Sequence, residues 1–151
     1  MGTTVSCRAL LGVLPLMLTG LSTAAGQDLR LVTAASERDM RTARALVDVL
    51  GRMQDDPRHA DAFMDTLPVA GVSGTLATRM VGTAAEGNAR AKTGSMANVR
   101  TLSGYVTSAD NERLAFAVLA NNFPGSAAPI LSVIDRLVEQ LAQSTRSDSG
   151  R

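Results

Sequence analysis

The sequence is poor in the residue types that build metal sites and nucleic-acid surfaces. It has one cysteine, one histidine, no tryptophan and only 3% aromatic residues. Cys7 has no partner for an intrachain disulfide, and with His59 it cannot complete a zinc site of cysteine and histidine ligands. The net charge is +1 and no run of basic residues occurs, which argues against nucleic-acid binding. We therefore expect no cofactor, no metal and no nucleic-acid partner.

Lysine is equally scarce, and its single occurrence is informative. Lys92 opens the stretch Lys92-Thr93-Gly94-Ser95, whereas every other basic residue among the 15 lysines and arginines is arginine. Lysine and arginine are not interchangeable where a compact charge must approach a ligand. A Lys-Thr-Gly triplet is one of three signatures of serine acyl-transfer enzymes that act on D-alanyl peptides and β-lactams.

The segments around the triplet strengthen this interpretation. Residues 67–76 read LPVAGVSGTL, residues 90–95 read RAKTGS, and LSGYVT and RLAFA follow at 102–107 and 113–117. Their order and spacing resemble the C-terminal part of the penicillin-binding D-alanyl-D-alanine carboxypeptidase/endopeptidase family, the low-molecular-mass class that cleaves peptidoglycan peptides. The resemblance covers residues 36–142 and is most specific over 67–121. It implies a partial β-lactamase/transpeptidase-like fold.

The other two motifs of that family are absent from this sequence. Ser-x-x-Lys would need a serine at position 89, which is Ala89, and no asparagine has a serine two residues before it. The sequence therefore contains no catalytic nucleophile of this type, and we expect the chain alone to be inactive. Ser36 and Ser73 lie among small residues but have no base positioned by the sequence, and His59 is expected on the surface.

The resemblance implies a substrate-binding role for the four residues of the triplet segment. Lys92 would supply positive potential and Thr93 a hydroxyl donor for the terminal carboxylate of a D-Ala-D-Ala peptide. Gly94 would allow the peptide backbone to approach, and the backbone N–H of Ser95 would form half of an oxyanion hole. The implied partner is a peptidoglycan stem peptide or a β-lactam, if the absent catalytic lobe is supplied.

Residues 1–27 have the layout of a secretory signal. Arg8 precedes an apolar run from Ala9 to Leu21, and small residues follow at 22–26. The run is too short to span a bilayer as a helix, so no stable membrane span is expected. The alternative is a buried helix that belongs to the enzyme body. The first interpretation predicts an exported, periplasmic protein.

Periodicity and turn residues predict an α+β domain over residues 28–143, followed by a polar tail at 144–151. Helices are expected at 41–53, with Asp39 as N-cap or first-turn acid, and at 59–67, 75–81 and 129–143. Strands are expected at 89–95, 100–108 and 113–121, forming an antiparallel meander flanked by helices. The last strand is apolar on both faces, which predicts cover on both sides of the sheet.

Two functional hypotheses follow from these observations. The first is a truncated serine-type D-Ala-D-Ala carboxypeptidase/endopeptidase homologue that is inactive alone. The alternative is a non-catalytic peptide-binding or interaction fragment that uses the surviving strand edge. A gene remnant without function is a third possibility, and detectable binding of a stem peptide distinguishes it from the second.

Overall fold

The computed structural model describes residues 9–14 and 37–145, with side chains from residue 41 onward. Its elements, in chain order, are β1 (Ala9–Leu14), α1 (Glu37–Asp55), α2 (Ala60–Asp65), a 3₁₀ turn (Gly74–Leu76), β2 (Arg90–Met96), β3 (Val99–Thr107), β4 (Arg113–Asn121) and α3 (Ala128–Gln143).

The strands form one sheet in the order β1-β4-β3-β2. The antiparallel meander of β2, β3 and β4 confirms the sequence prediction. The fourth strand was not predicted: Ala9–Leu14 pairs in parallel with β4, from Ala115 to Ala120. The buried helix considered for this segment is therefore wrong over Ala9–Leu14. The rest of the apolar run lies outside the described residues.

Helices cover the sheet on both faces, as the apolar β4 predicted. Along α3, every fourth residue of one stripe is buried, and this stripe packs on β3 and β4; the stripe is Ile130, Ile134, Val138 and Ala142. On the opposite face, α1 buries Ala43, Val47 and Leu50 against Ala115, Ala117 and Leu119. A strand enclosed in this way contributes side chains to two separate apolar clusters, which explains its lack of polar alternation.

A buried tyrosine joins α1 to the sheet. Tyr105 of β3 is 2% exposed, and its hydroxyl donates to the carbonyl oxygen of Leu50 at 2.7 Å. The ring of Phe63, a residue of α2, meets it edge-on with centroids 6.5 Å apart. Because the buried hydroxyl has an acceptor, the tyrosine adds apolar contact without an unsatisfied polar group.

The helix limits differ from the predictions in three places. α1 begins at Glu37, so Asp39 lies in the first turn and is not the N-cap. The helix expected at 75–81 is only the short 3₁₀ turn, because Met80 and Gly82 have φ values of 59° and 75°, which a right-handed helix does not allow. Ser144, predicted to start the tail, belongs to the domain: its carbonyl accepts from the N–H of Ala109 at 3.0 Å.

Candidate functional site

β2 lies at the edge of the sheet, and its outer side is only half covered. The N–H of Ala70 donates to Ala89, and the N–H of Ala91 donates to Pro68, both at 2.9 Å. These bonds belong to a segment that we call the edge loop, residues 68–89. Beyond Ala91, no backbone partner lies along the outer side of β2 within the part of the chain that the structure describes.

Strand alternation decides which backbone groups face this open edge. Ala91 donates outward to the edge loop, so residues two and four positions later, Thr93 and Ser95, also direct their N–H and C=O groups outward. The alternate residues bond to β3, where Gly94 lies opposite Thr101. The Thr93 carbonyl accepts from the Lys92 ammonium, whereas the N–H groups of Thr93 and Ser95 have no backbone partner in the described part of the chain. An edge of this kind is a template for an added strand.

The ammonium group of Lys92 lies at the same open edge. Its side chain is exposed, as the sequence analysis predicted, and Nζ donates to the carbonyl oxygen of Thr93 at 2.9 Å. No carboxylate within the described residues lies within ion-pair distance of this nitrogen, so its positive charge is not neutralised. A cation without a counter-ion beside an open strand edge can attract an anionic extended peptide.

The side chain of Thr93 has a partner that sequence analysis did not identify. Its hydroxyl donates to the hydroxyl of Thr75 at 3.0 Å, across 18 positions of sequence. Thr75 lies in the 3₁₀ turn. The next residue of that turn, Leu76, is fully buried in the apolar cluster between the sheet and α3. The motif-rich segment 67–76 therefore reaches the strand that carries the triplet, and does so next to Lys92.

Two glycines set how closely β2 and β3 approach each other. A Cβ at Gly104 would lie 2.1 Å from the carbonyl oxygen of Arg90 and 2.6 Å from the Cα of Ala91. A Cβ at Gly94 would lie 2.3 Å from the hydroxyl oxygen of Thr101. The sequence analysis assigned Gly94 to the approach of a peptide backbone; the structure adds a packing reason within the sheet.

None of the residues that resemble a nucleophile or base forms a catalytic pair in the described part of the chain. The hydroxyl of Ser73 accepts from the N–H of Val69 at 3.0 Å, and Ser95 is exposed with no hydrogen-bonded base. His59 is exposed, as predicted, and its Nδ1 lies 3.0 Å from Asp56 Oδ2. That contact, together with the N–H of Arg58, lowers the pKa of the Asp56 carboxyl. Ser36 lies outside the described residues.

The edge loop is held to the domain at two further points. The guanidinium of Arg79 binds Asp135 of α3 through Nη2 at 2.5 Å and Nε at 3.1 Å, and both side chains are mostly buried. The amide of Asn88 donates to the carbonyl of Thr107 at 2.8 Å and accepts from its N–H at 2.9 Å. These contacts fix the middle and the C-terminal end of the loop that covers half of β2.

The described residues contain neither a metal site nor a membrane-spanning helix. No group of three or more His, Cys, Asp or Glu side chains comes together there in a way that could hold a metal ion. None of the helices in that part is long and apolar enough to cross a membrane. A cavity of about 320 Å³ lies at the far ends of β3 and β4, where it is lined by Gln54, Asp55, Thr107, Asn111 and Arg113. It does not include the Lys92 to Ser95 segment.

Comparison with known proteins identifies the family of the chain. The model of the D-Ala-D-Ala carboxypeptidase 3 (S13) family matches residues 21–144. The chain belongs to this family. It is 44% identical over 113 residues to the D-alanyl-D-alanine carboxypeptidase of Actinomadura sp. strain R39, and 35% identical over 111 residues to the penicillin-sensitive carboxypeptidase A of Dictyostelium discoideum. These matches confirm the family resemblance inferred from the motifs.

The solved structures of such proteins have the same fold. Penicillin binding protein 4 of Haemophilus influenzae superimposes with a TM-score of 0.59 at 26% identity, covering 68% of this chain and 24% of that protein. The predatory peptidoglycan endopeptidase of Bdellovibrio bacteriovorus gives a TM-score of 0.51 at 22% identity. The partial transpeptidase-like fold predicted from the sequence is therefore confirmed.

The match extends over a small part of each relative. The chain spans about a fifth of the length of the curated relatives, 20% of the Actinomadura protein and 21% of the Dictyostelium protein. Ser-x-x-Lys and Ser-x-Asn do not occur anywhere in its 151 residues. The chain therefore carries one of the three signatures of serine acyl-transfer enzymes of this type.

Proposed function

We propose that this chain is the substrate-strand part of a serine-type D-Ala-D-Ala carboxypeptidase/endopeptidase that acts on peptidoglycan stem peptides, and that it is catalytically silent alone. The observation that carries the proposal is the open half of β2. There, the N–H groups of Thr93 and Ser95 have no backbone partner in the described residues, and the unneutralised ammonium of Lys92 lies beside them on the Thr93 carbonyl. This edge matches an extended peptide that ends in a carboxylate.

The proposed binding mode assigns one role to each of the four residues. A stem peptide adds to the sheet as a fifth strand along the outer side of β2. Its terminal carboxylate takes a charge-assisted hydrogen bond from Lys92 and a hydroxyl hydrogen bond from Thr93. The N–H of Ser95 then donates to the carbonyl oxygen of the scissile bond, while Gly94 offers no side chain that would obstruct the peptide.

Catalytic silence follows from what the edge lacks. Polarising a carbonyl does not cleave it unless a hydroxyl attacks, and acylation needs a base close enough to take that hydroxyl's proton. Lys92, the only lysine, is engaged at the carboxylate position, and His59 is hydrogen-bonded to Asp56. Hydrolysis therefore needs a nucleophile-bearing lobe supplied by another polypeptide or by an extension of the reading frame.

The outer side of α1 is the surface that we assign to this lobe. Leu46 and Val49, one turn apart, are 37% and 56% exposed, although the neighbouring stripe of the same helix is buried against β4. The exposed helix surface also carries charged residues, including Arg44, Asp48 and Arg52. A helix with apolar residues over so wide an arc normally packs on two sides.

The domain limits and the location are part of the same proposal. Residues 28–143, extended to Ser144 by its bond to Ala109, form the carboxypeptidase part, residues 1–27 are a signal-like or remnant segment, and the rest of the predicted 144–151 segment is a polar tail. Export suits a protein that acts on peptidoglycan peptides, and relatives in the family carry carboxypeptidase or penicillin-binding names. The signal-like order of charge, apolar run and small residues supports this location, whereas the pairing of Ala9–Leu14 with β4 supports the remnant alternative for this segment.

Peptide binding tests the proposal directly. Addition of diacetyl-Lys-D-Ala-D-Ala to the isotope-labelled chain is expected to shift the backbone amides of Thr93 and Ser95 in NMR spectra. Lys92→Met should weaken binding by about 10- to 100-fold, because a hydrogen bond to a charged group contributes roughly 1.5–3 kcal/mol. Arg136→Met, which removes an exposed cation from α3, is the matched control and should bind like the wild type.

Two results would contradict the proposal. Equal binding of a peptide that ends in L-Ala-L-Ala would show that the edge does not select D-alanyl ends. A stoichiometric penicillin adduct in intact-protein mass spectra, lost in Ser95→Ala or Ser73→Ala, would show that the chain has a working nucleophile. An adduct that forms only on a separately added catalytic lobe would instead support a split enzyme.

A second function is favoured by the same open edge. Without a nucleophile or a base, β2 can hold an extended peptide without cleaving it, which would make the chain a binding module. Peptide binding that persists unchanged when a catalytic lobe is added, with no product formed, would favour this alternative.

A further inference from the structure

We propose that Thr75 is a positioning residue that sets the direction of the Thr93 hydroxyl and thereby the preference of the open edge for a carboxylate. This inference rests on the proposed function, because it concerns how the same edge recognises its ligand. The contact that carries it is the 3.0 Å hydrogen bond between the two threonine hydroxyls.

The surroundings of Thr75 make it a rigid support. The 3₁₀ turn is anchored by Leu76, which is fully buried, and the carbonyl oxygen of Leu76 accepts from the N–H of Gly71 at 2.9 Å. The N–H of Leu76 in turn donates to the carbonyl of Ser73 at 3.2 Å. Thr75 itself is exposed, so its side chain contributes little to the apolar core.

The hydroxyl of Thr93 has one proton and two possible uses for it. In the structure, Thr93 donates that proton to Thr75. When a carboxylate lies beside Lys92, Thr93 can turn its proton to the carboxylate and accept a proton from Thr75 in return, since each hydroxyl both donates and accepts. Thr75, Thr93 and the carboxylate then form a chain of hydrogen bonds that point the same way, and such chains strengthen each member.

A carboxamide terminus would not complete this chain equally well. Its NH₂ group is a donor and would face the Lys92 ammonium, whereas a carboxylate presents only acceptors. The Thr75 hydroxyl therefore favours carboxylate over carboxamide by holding Thr93 as a donor toward the ligand. It does so without touching the ligand itself.

The test combines a binding ratio with a side-chain rotamer measurement. Binding of diacetyl-Lys-D-Ala-D-Ala and of its C-terminal amide is measured for the wild type, Thr75→Val and Thr75→Ser. Thr75→Val should reduce the carboxylate-to-amide affinity ratio by a factor of about two to ten, the range of one neutral hydrogen bond. Thr75→Ser retains the hydroxyl and should restore the ratio.

The rotamer readout does not require a ligand. Three-bond couplings from the Thr93 methyl carbon to its backbone report whether χ1 occupies one staggered state or averages between several. Averaging is expected in Thr75→Val. Thr83→Val is the matched control, because the Thr83 hydroxyl bonds within the same edge loop, to the carbonyl of Met80, without contacting Thr93.

The two readouts separate the inference from the proposed function. If Thr75→Val leaves both the Thr93 rotamer and the affinity ratio unchanged, or if Thr83→Val changes them equally, the positioning role is overturned. If the wild type binds neither peptide but Thr75→Val still releases the Thr93 rotamer, the proposed function fails while the positioning of Thr93 by Thr75 is supported.

Discussion

The two halves of β2 differ in what occupies their outer side. The first half, around Arg90 and Ala91, is bonded to the edge loop and is packed closely against Gly104. The second half, from Thr93 to Ser95, has the same backbone geometry but no covering segment in the described part of the chain. One strand thus combines a segment that holds the fold together with a segment whose outward N–H groups have no backbone partner in the described residues.

Because of this difference, we expect mutations in the two halves of β2 to affect different properties, stability in one half and binding in the other. Changes in the covered half should lower the free energy of unfolding, because they disturb buried contacts and paired backbone groups. Changes in the open half should leave stability nearly unaltered and change binding. The first half also fixes the position of the second, because consecutive residues of a strand share one backbone direction.

The largest effect is expected from Gly104→Ala. The new Cβ would meet backbone atoms of Arg90 and Ala91, which cannot move without displacing β2. We expect a loss near the upper end of the ~1–3 kcal/mol typical of overpacked sites, measured by urea unfolding. Ser103→Ala, the adjacent position on β3, is the control and should stay within about 0.5 kcal/mol. Equal stability of both variants would mean that the strands are not this close.

Arg79→Met should have the next largest effect. It removes the bidentate contact with Asp135 and leaves a mostly buried carboxylate without its cation. A loss of about 1–2 kcal/mol is expected, since hydrogen bonds to charged groups exceed neutral ones but some exposure remains. Faster amide exchange at Ala70 and Ala91 would show that the edge loop has loosened from β2. Unchanged exchange there would show that Arg79 does not hold the loop in place.

Lys92→Gln should change stability less than Gly104→Ala or Arg79→Met. The ammonium is exposed and donates only to the carbonyl of its neighbour Thr93, so the free energy of unfolding should stay within about 0.5 kcal/mol of the wild type. A much larger loss on thermal or urea unfolding would make Lys92 a structural residue. It would also remove the distinction between the two halves of the strand.

The sequence predicted that residues 89–95 form a strand, but it did not predict that the edge loop covers the first half of this strand. Alternation, short polar turns and the apolar stripe of α3 are local signals, and they gave the meander and the final helix with small errors at the ends. The contacts of Ala91 with Pro68 and of Thr93 with Thr75 join distant positions. No periodic pattern encodes such pairs, so sequence reasoning identified the triplet but missed its support.

β1 was missed for a different physical reason. A short apolar run such as Ala9–Leu14 has no polar alternation, so its pattern does not distinguish a strand from a helix or a signal segment. Its partner strand β4 is equally apolar and is paired on both sides. Pairing with β4, rather than local propensity, determines its structure, and that partner lies about a hundred positions later in the chain.

The smallest expected effect is the pH dependence of stability that arises from Asp56, which lies just before α2. Asp56 accepts hydrogen bonds from His59 and from the N–H of Arg58, and these contacts lower its pKa below the ordinary value of 3.8. They hold the start of α2, which reaches β2 because Arg90 donates to the carbonyl of Met64 at 3.4 Å. A carboxyl with a lowered folded-state pKa stabilises the fold above its unfolded pKa. That contribution is lost as pH falls through the folded value.

The wild type should therefore lose stability below about pH 4 in part through Asp56, whereas Asp56→Asn should lack that part of the pH dependence. The difference in free energy of unfolding between the two proteins should be larger above about pH 4 than below it. Glu139→Gln on α3 is the matched acid-to-amide control. Arg90 contacts two residues of α2, Met64 and Asp65. Acid should therefore shift the backbone amide of Arg90 in NMR spectra more than the backbone amide of Ser95. The opposite order would show that the two halves of β2 do not respond independently.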